Sequence, residues 1–201
     1  MGFNDVEPLV FLKPKRRTLY IHGTLWTYKL TTKHYFLQFL MDHRCLKSFV
    51  DRKFHKNSAF NFSRFSKIVA TAMRLSDDLV ELEIEKLDNI ISCCDTSDEK
   101  TLWKRLKTAC VNGRRTGLGT HGLADALACL NLAYDSEDAM SMIDKIYETL
   151  KIAAYTESVR LSEERGPFPV FNWEKEKDNE FIKLLSPELQ LLIAQHGRRN
   201  I

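Results

Sequence analysis

Residues 113–126, Gly-Arg-Arg-Thr-Gly-Leu-Gly-Thr-His-Gly-Leu-Ala-Asp-Ala, gather the groups best suited to hold a phosphate. Two arginines lead into glycines at 117, 119 and 122, and a helix pattern opens directly after them. Glycine lets a backbone bend sharply and approach closely where a Cβ would clash. Free N–H groups at a helix start attract anions. Gly117, Gly119 and His121 are therefore the candidate substrate-binding residues, with His121 also a candidate acid/base. The competing reading is close strand–helix packing, with His121 making a local hydrogen bond. Packing is the stronger reading, because no Lys-Ser/Thr of a phosphate loop follows and no acidic residue is placed for a ribose. The pairs Arg114-Arg115 and Arg198-Arg199 suit a phosphate or, equally, the acidic helices.

Two other groupings have chemical potential. Asp77, Asp78, Glu81, Glu83, Glu85 and Asp88 recur near helical spacing, as carboxylates in a two-metal bundle do. That design also needs Glu-x-x-His pairs, and no histidine occurs between His55 and His121. The run is expected to be a solvated helix face, with no metal site. Cys93-Cys94 suggests redox work, yet adjacent cysteines form a strained disulfide. They are expected to be small buried residues at a helix end. Cysteines at 45, 93, 94, 110 and 129 are an odd number with no repeated CxxC spacing. This argues against a disulfide framework or a zinc site, and for a reducing, cytoplasmic setting.

The elements that position these groups are mostly helices. Phe65, Ile68, Val69, Ala72, Met73, Leu79, Val80, Leu87, Ile90 and Ile91 predict one long helix from about Asn61 to the cysteine pair. Thr96-Ser-Asp-Glu99 is a capping box for a helix from about Ser97 to Cys110, stopped by Asn112-Gly113. Thr116-Gly-Leu-Gly reads as a short buried strand and turn, and Gly122 to Leu130 as a helix. Residues 136–165 form the strongest helix, with Asp135 as N-cap candidate and an acidic first turn. Its apolar stripe is Met140, Ile143, Tyr147, Leu150, Ala154 and Leu161, and Gly166-Pro167 ends it. Ser186-Pro-Glu opens a last helix to about Gln195, and Arg198-Arg-Asn-Ile begins a strand. Earlier in the chain, Arg17–His22 and Leu25–Thr32 around Gly23 suggest a hairpin, and residues 35–41 a short helix.

With 201 residues, 44% apolar and 28% charged, the chain has the composition of an ordinary globular protein. No apolar run approaches the roughly 20 residues that cross a bilayer, and the first residues do not make a signal peptide. Residues 1–56 carry eleven Lys/Arg against four Asp/Glu, although the whole chain is only +3. Such a basic segment suits a nucleic acid or an acidic partner, or is simply a solvated leader.

Seven blocks in order resemble the catalytic (large) chain of ribonucleotide reductase. They are Ala72-Met-Arg-Leu-Ser-Asp-Asp-Leu-Val-Glu-Leu-Glu, Gly113 to Leu127, Tyr134-Asp-Ser-Glu-Asp-Ala, Ala153-Ala-Tyr-Thr-Glu-Ser-Val, and Glu163-Glu-Arg-Gly-Pro-Phe-Pro-Val-Phe with Asn179-Glu-Phe-Ile and His196-Gly-Arg-Arg-Asn-Ile. The two Arg-Arg pairs and the Leu-Ser-Asp-Asp-Leu-Val text are most similar to the adenosylcobalamin-dependent, class II branch. The likeness covers about residues 45–201 and leaves 1–44 as an unassigned basic leader.

The resemblance implies an α/β fold, namely a slice of a ten-stranded α/β barrel. As an isolated chain this slice should be predominantly α-helical, with one or two short strands. It implies reduction of a ribonucleotide to a deoxyribonucleotide for DNA synthesis: a thiyl radical abstracts the 3′-hydrogen, two further cysteines supply electrons, and adenosylcobalamin generates the radical. The family's radical cysteine sits in Asn-x-Cys-x-Glu. The residues two before the five cysteines are His43, Ile91, Ser92, Thr108 and Leu127, and none is asparagine. The Ala-Pro-Thr-Gly substrate-phosphate loop is absent too. No catalytic residue is thus assigned, and the chain is expected to be inactive alone. Its implied partners are the nucleotide substrate and other fragments of the same reductase, with no membrane. An opened barrel exposes strand edges and apolar faces, so self-association is expected. The alternative is a non-enzymatic helical module that binds nucleic acid through its basic N-terminal segment.

Overall fold

The computed structural model describes residues 45–200; the hairpin and short helix expected before residue 44, and the basic leader, lie outside them. After a 3₁₀ turn at Leu46–Phe49, strands β1 (Val50–Asp51) and β2 (Ala59–Phe60) pair antiparallel, with Val50 opposite Phe60. Helices follow: α1 (Phe62–Ser92), α2 (Ser97–Gly113), α3 (Leu123–Cys129), α4 (Glu137–Arg165), α5 (Trp173–Glu176), α6 (Glu180–Lys183) and α7 (Pro187–His196). As expected for the slice, helices dominate and the strands are short.

The long helices form where periodicity and caps agree. Asn61 caps α1, its side chain accepting from the Arg64 N–H at 3.0 Å. Phe65, Val69, Met73, Ser76, Asp77, Val80 and Leu87 make its buried row, which packs along α4 and α2. Thr96 caps α2 at the Glu99 N–H, while the Glu99 carboxylate accepts from the Trp103 indole at 3.4 Å. Helix α2 runs past the expected stop to Gly113, and Arg114 is its left-handed cap at φ 42°. Bulky residues adopt that conformation only when their surroundings hold them there.

Three further expectations are corrected. Ser136, not Asp135, caps α4, accepting from the Ala139 N–H at 3.2 Å. The buried row of α4 is Ala139, Ile146, Ala153, Glu157, Ser158, Val159, Leu161 and Ser162. Relative to the expected stripe it is turned by one residue, roughly 100° of helix rotation. Met140 and Tyr147 are exposed, because no described element covers their side. Finally, neither Thr116–Gly119 nor Arg198–Asn200 is a strand, since neither has a ladder partner among the described residues.

Two apolar clusters hold these elements. One joins Leu46, Phe49, Phe60, Phe65, Val69, Leu130 and Ile146, with the Phe49 and Phe65 rings edge-to-face at 5.0 Å. The other joins Val159 of α4 to Ile182, Leu185, Leu189 and Ile193.

Candidate functional site

The connection from α2 to α3, residues 114–122, carries all three candidate residues and is pinned at both ends. At its far end Gly122 has φ +71°, and a Cβ there would lie 1.8 Å from the Cys45 sulfur. Only glycine satisfies both constraints. The His121 carbonyl accepts from the Leu46 N–H at 3.1 Å and from the Cys45 thiol at 3.6 Å. The Thr120 hydroxyl lies 3.1 Å from the Tyr147 hydroxyl of α4.

The near end is held by a buried ion cluster that the sequence reading missed. Asp77 is fully buried on α1, although it belongs to the run expected to be solvated. Its Oδ1 accepts from Arg114 Nη2 at 2.5 Å and from Asn200 Nδ2 at 2.9 Å; its Oδ2 accepts from Arg165 Nη1 at 2.8 Å. Arg199 Nε lies 3.3 Å from both oxygens. Glu81 Oε1 accepts from Arg114 at 2.7 Å and Arg199 at 3.0 Å, and Asp78 from Arg165 at 2.7 Å. Three guanidinium groups thus face three carboxylates, so the burial of charge is compensated. Burial alone would raise the Asp77 pKa, yet hydrogen bonds from Arg114, Asn200 and Arg165 hold it below its ordinary value. The signal was in the spacing: Asp77 stands four residues after Met73 and three before Val80, on the buried row.

Of the arginine pairs, Arg114 and Arg199 serve this cluster. Arg198 forks onto Glu176 at 2.7–2.9 Å and lies over the Phe168 ring at 5.4 Å. The three are paired with carboxylates of the chain, which accords with the pairing reading. Arg115 is exposed. The two adjacent cysteines are at the end of α1 as expected, but Cys93 is exposed and Cys94 half-buried, because the chain leaves the core there.

Beside residues 114–122 lies an open groove of about 1050 Å³. Thr116 and Leu118 form one wall; Tyr147, Leu150 and Ala154 of α4 form the other, so these three residues of the stripe expected for the core also face this groove, while Leu161 is buried as expected. Ser158, Arg198 and Asn200 close one end. Gly119 is exposed and His121 half-buried; neither lines the groove, nor does Gly117, nor does any cysteine. All five thiols are free. The arrangement can bind an apolar or extended group, but among the described residues it offers no thiol and no metal-ligand set.

A family model described as "Ribonucleotide reductase, barrel domain" matches residues 43–200. Among individual proteins, the chain is 32% identical over 111 residues to a vitamin B12-dependent ribonucleoside-diphosphate reductase of Mycobacterium tuberculosis, covering 55% of this chain and 14% of that protein. It is 27% identical over 154 residues to the ribonucleoside-diphosphate reductase large subunit of Plasmodium falciparum, covering 70% and 17%. To the large subunit of Ostreid herpesvirus 1 it is 32% identical over 108 residues, covering 54% and 12%. The chain thus spans less than a fifth of the length of these relatives.

Proposed function

The chain belongs to the ribonucleotide reductase barrel-domain family, and from that premise we propose that it is a helical piece of a cobalamin-dependent reductase barrel that does not reduce ribonucleotides alone. One observation carries the reading: none of the five cysteines stands in a radical-cysteine loop or lines the groove. Thiyl chemistry needs a thiol at the substrate, and the groove supplies none; the thiol beside the glycine turn, Cys45, donates to the His121 carbonyl at 3.6 Å. The B12-dependent type is supported by the Mycobacterium tuberculosis relative and by the Arg-Arg pairs; relatives named without B12 match too.

The described residues do not fit the cofactor itself. Of the groove's charged groups, Lys151 pairs with Glu148 at 2.5 Å and Arg198 with Glu176. This chain would therefore contribute position rather than chemistry. In a complete barrel the turn carrying Gly117, Gly119 and His121 would stand against the nucleotide, held by Asp77 at one end and Cys45 at the other. Titration of the purified chain with a nucleoside diphosphate and with adenosylcobalamin should show no saturable binding of either. Saturable binding by the chain alone would contradict this reading.

A further inference from the structure

The turn between β1 and β2 holds an aromatic ring in solvent on a strained backbone. The chain reverses there through Arg52-Lys-Phe-His-Lys-Asn57. Arg52 has φ 49° and Phe54 φ 60°, in the left-handed region that large side chains enter only when their surroundings hold them. The holding contacts are present. The Phe54 N–H donates to the Cys129 carbonyl at the end of α3 at 2.8 Å, and the Asn131 side-chain amide to the His55 carbonyl at 3.0 Å. Beneath the loop, Val50 and Phe60 are buried in the core. The tip is thus fixed, yet the Phe54 ring is 69% exposed, more than any other large apolar side chain among the described residues. Cations surround it in sequence. Residues 47–67 hold six Lys/Arg against one acid, Asp51, which leaves a net +5. Lys47, Arg52, Lys53, Lys56, Arg64 and Lys67 are all exposed, while Asp51 accepts from the Asn61 side chain at 3.0 Å.

We propose that this hairpin binds single-stranded nucleic acid, with Phe54 as the platform for one base and the cations of residues 47–67 on the neighbouring phosphates. An aromatic face joined to a positive track is the chemistry of sequence-tolerant single-strand binding. The net charge selects a polyanion. The ring then selects among polyanions. Charge alone would satisfy an acidic peptide, and in a duplex the base faces are already stacked on one another. A lipid surface would gain only one large apolar side chain, since residues 51–59 hold no other. A strand with unstacked bases uses both features at once. Because hydrogen bonds already fix the tip, little loop freedom is lost on binding. Neither Phe54 nor any of the six cations lines the groove, and the proposal holds whether or not the chain takes part in ribonucleotide reduction.

The test is fluorescence anisotropy of a labelled oligothymidylate titrated with the full chain over a salt series. Binding should saturate and weaken as salt rises. Phe54→Ala should weaken it about tenfold, the loss of one base stack, while leaving the salt slope and Tm unchanged. Phe54→Trp should restore it. Lys53→Glu with Lys56→Glu should instead flatten the salt slope, by about 0.7 for each phosphate contact removed. The Phe54→Ala arm separates this site from charge elsewhere in the chain, residues 1–44 included. A second readout needs no variant: an oligonucleotide carrying 4-thiothymidine, photo-cross-linked to the unaltered chain, should attach within residues 47–67 by mass spectrometry. The proposal is overturned if the chain does not bind the oligonucleotide, if Phe54→Ala binds as the unaltered chain does, or if the cross-links map elsewhere. It is overturned equally if phosphatidylserine vesicles or polyglutamate displace the label better than unlabelled oligothymidylate, which would assign the loop to a membrane or an acidic protein.

Discussion

Asp77 gathers hydrogen bonds from Arg114, Arg165, Arg199 and Asn200, which come from the end of α2, the end of α4 and the segment after α7. Removing its charge would leave three guanidinium groups facing only the more exposed Asp78 and Glu81. Asp77→Asn should therefore destabilise the fold by about 3–5 kcal/mol, the cost of breaking a buried ion pair from one side, measured by urea unfolding. A change under about 1 kcal/mol would show that the cluster does not hold these segments. The same carboxylates set the acid response. Hydrogen bonds from Arg74 lower Glu164 from its ordinary 4.5 to about 2, and Asp77 is lowered too. The folded state then binds these protons less readily than the unfolded chain. Their contribution is complete above the ordinary carboxylate range and is lost as pH falls, for Glu164 between 4.5 and about 2. Melting temperature should change little from pH 7 to 5 and fall steadily below; a rise on acidification to pH 3 would contradict this.

At the scale of elements, the caps give the cleanest comparison. Ser136→Ala removes the acceptor for the Ala139 N–H and should cost about 1 kcal/mol. Asp135→Ala touches no described cap and should stay within about 0.5 kcal/mol. Equal effects in thermal unfolding would contradict the assignment of Ser136. Long helices were legible because α1 and α4 repeat their apolar spacing over many turns, and because Asn61, Thr96 and Ser186 are side chains that cap. Less legible was which side of α4 is covered. Tyr147, Leu150 and Ala154 are as apolar as a core row, but they face the groove. Asp77 was hidden by its residue type, since a carboxylate in an acidic run suggests solvent while its position placed it among Met73 and Val80. Strand pairing at Thr116–Thr120 and Arg198–Asn200 depends on a partner that local pattern cannot supply. In its place Arg199 donates its backbone N–H to the Ser158 carbonyl at 3.0 Å, and Asn200 to the Ser158 hydroxyl at 3.2 Å.

As a whole, the described chain is a helical layer with two short strands, from a family whose matched domain is a barrel. Its apolar exposure reflects that: Tyr147, Phe181, Leu184 and Leu191 all stand open to solvent. The buried cluster at Asp77 and the glycine at 122 fix the shape of the turn that the family likeness marks, and the Cys45 thiol packs against that turn. The most direct measurement is turnover. The purified chain, given a ribonucleoside diphosphate, adenosylcobalamin and a dithiol reductant, should form no deoxyribonucleotide above the protein-free reaction. Deoxyribonucleotide formation that scales with chain concentration and disappears when one of its five cysteines is replaced by serine would contradict the account.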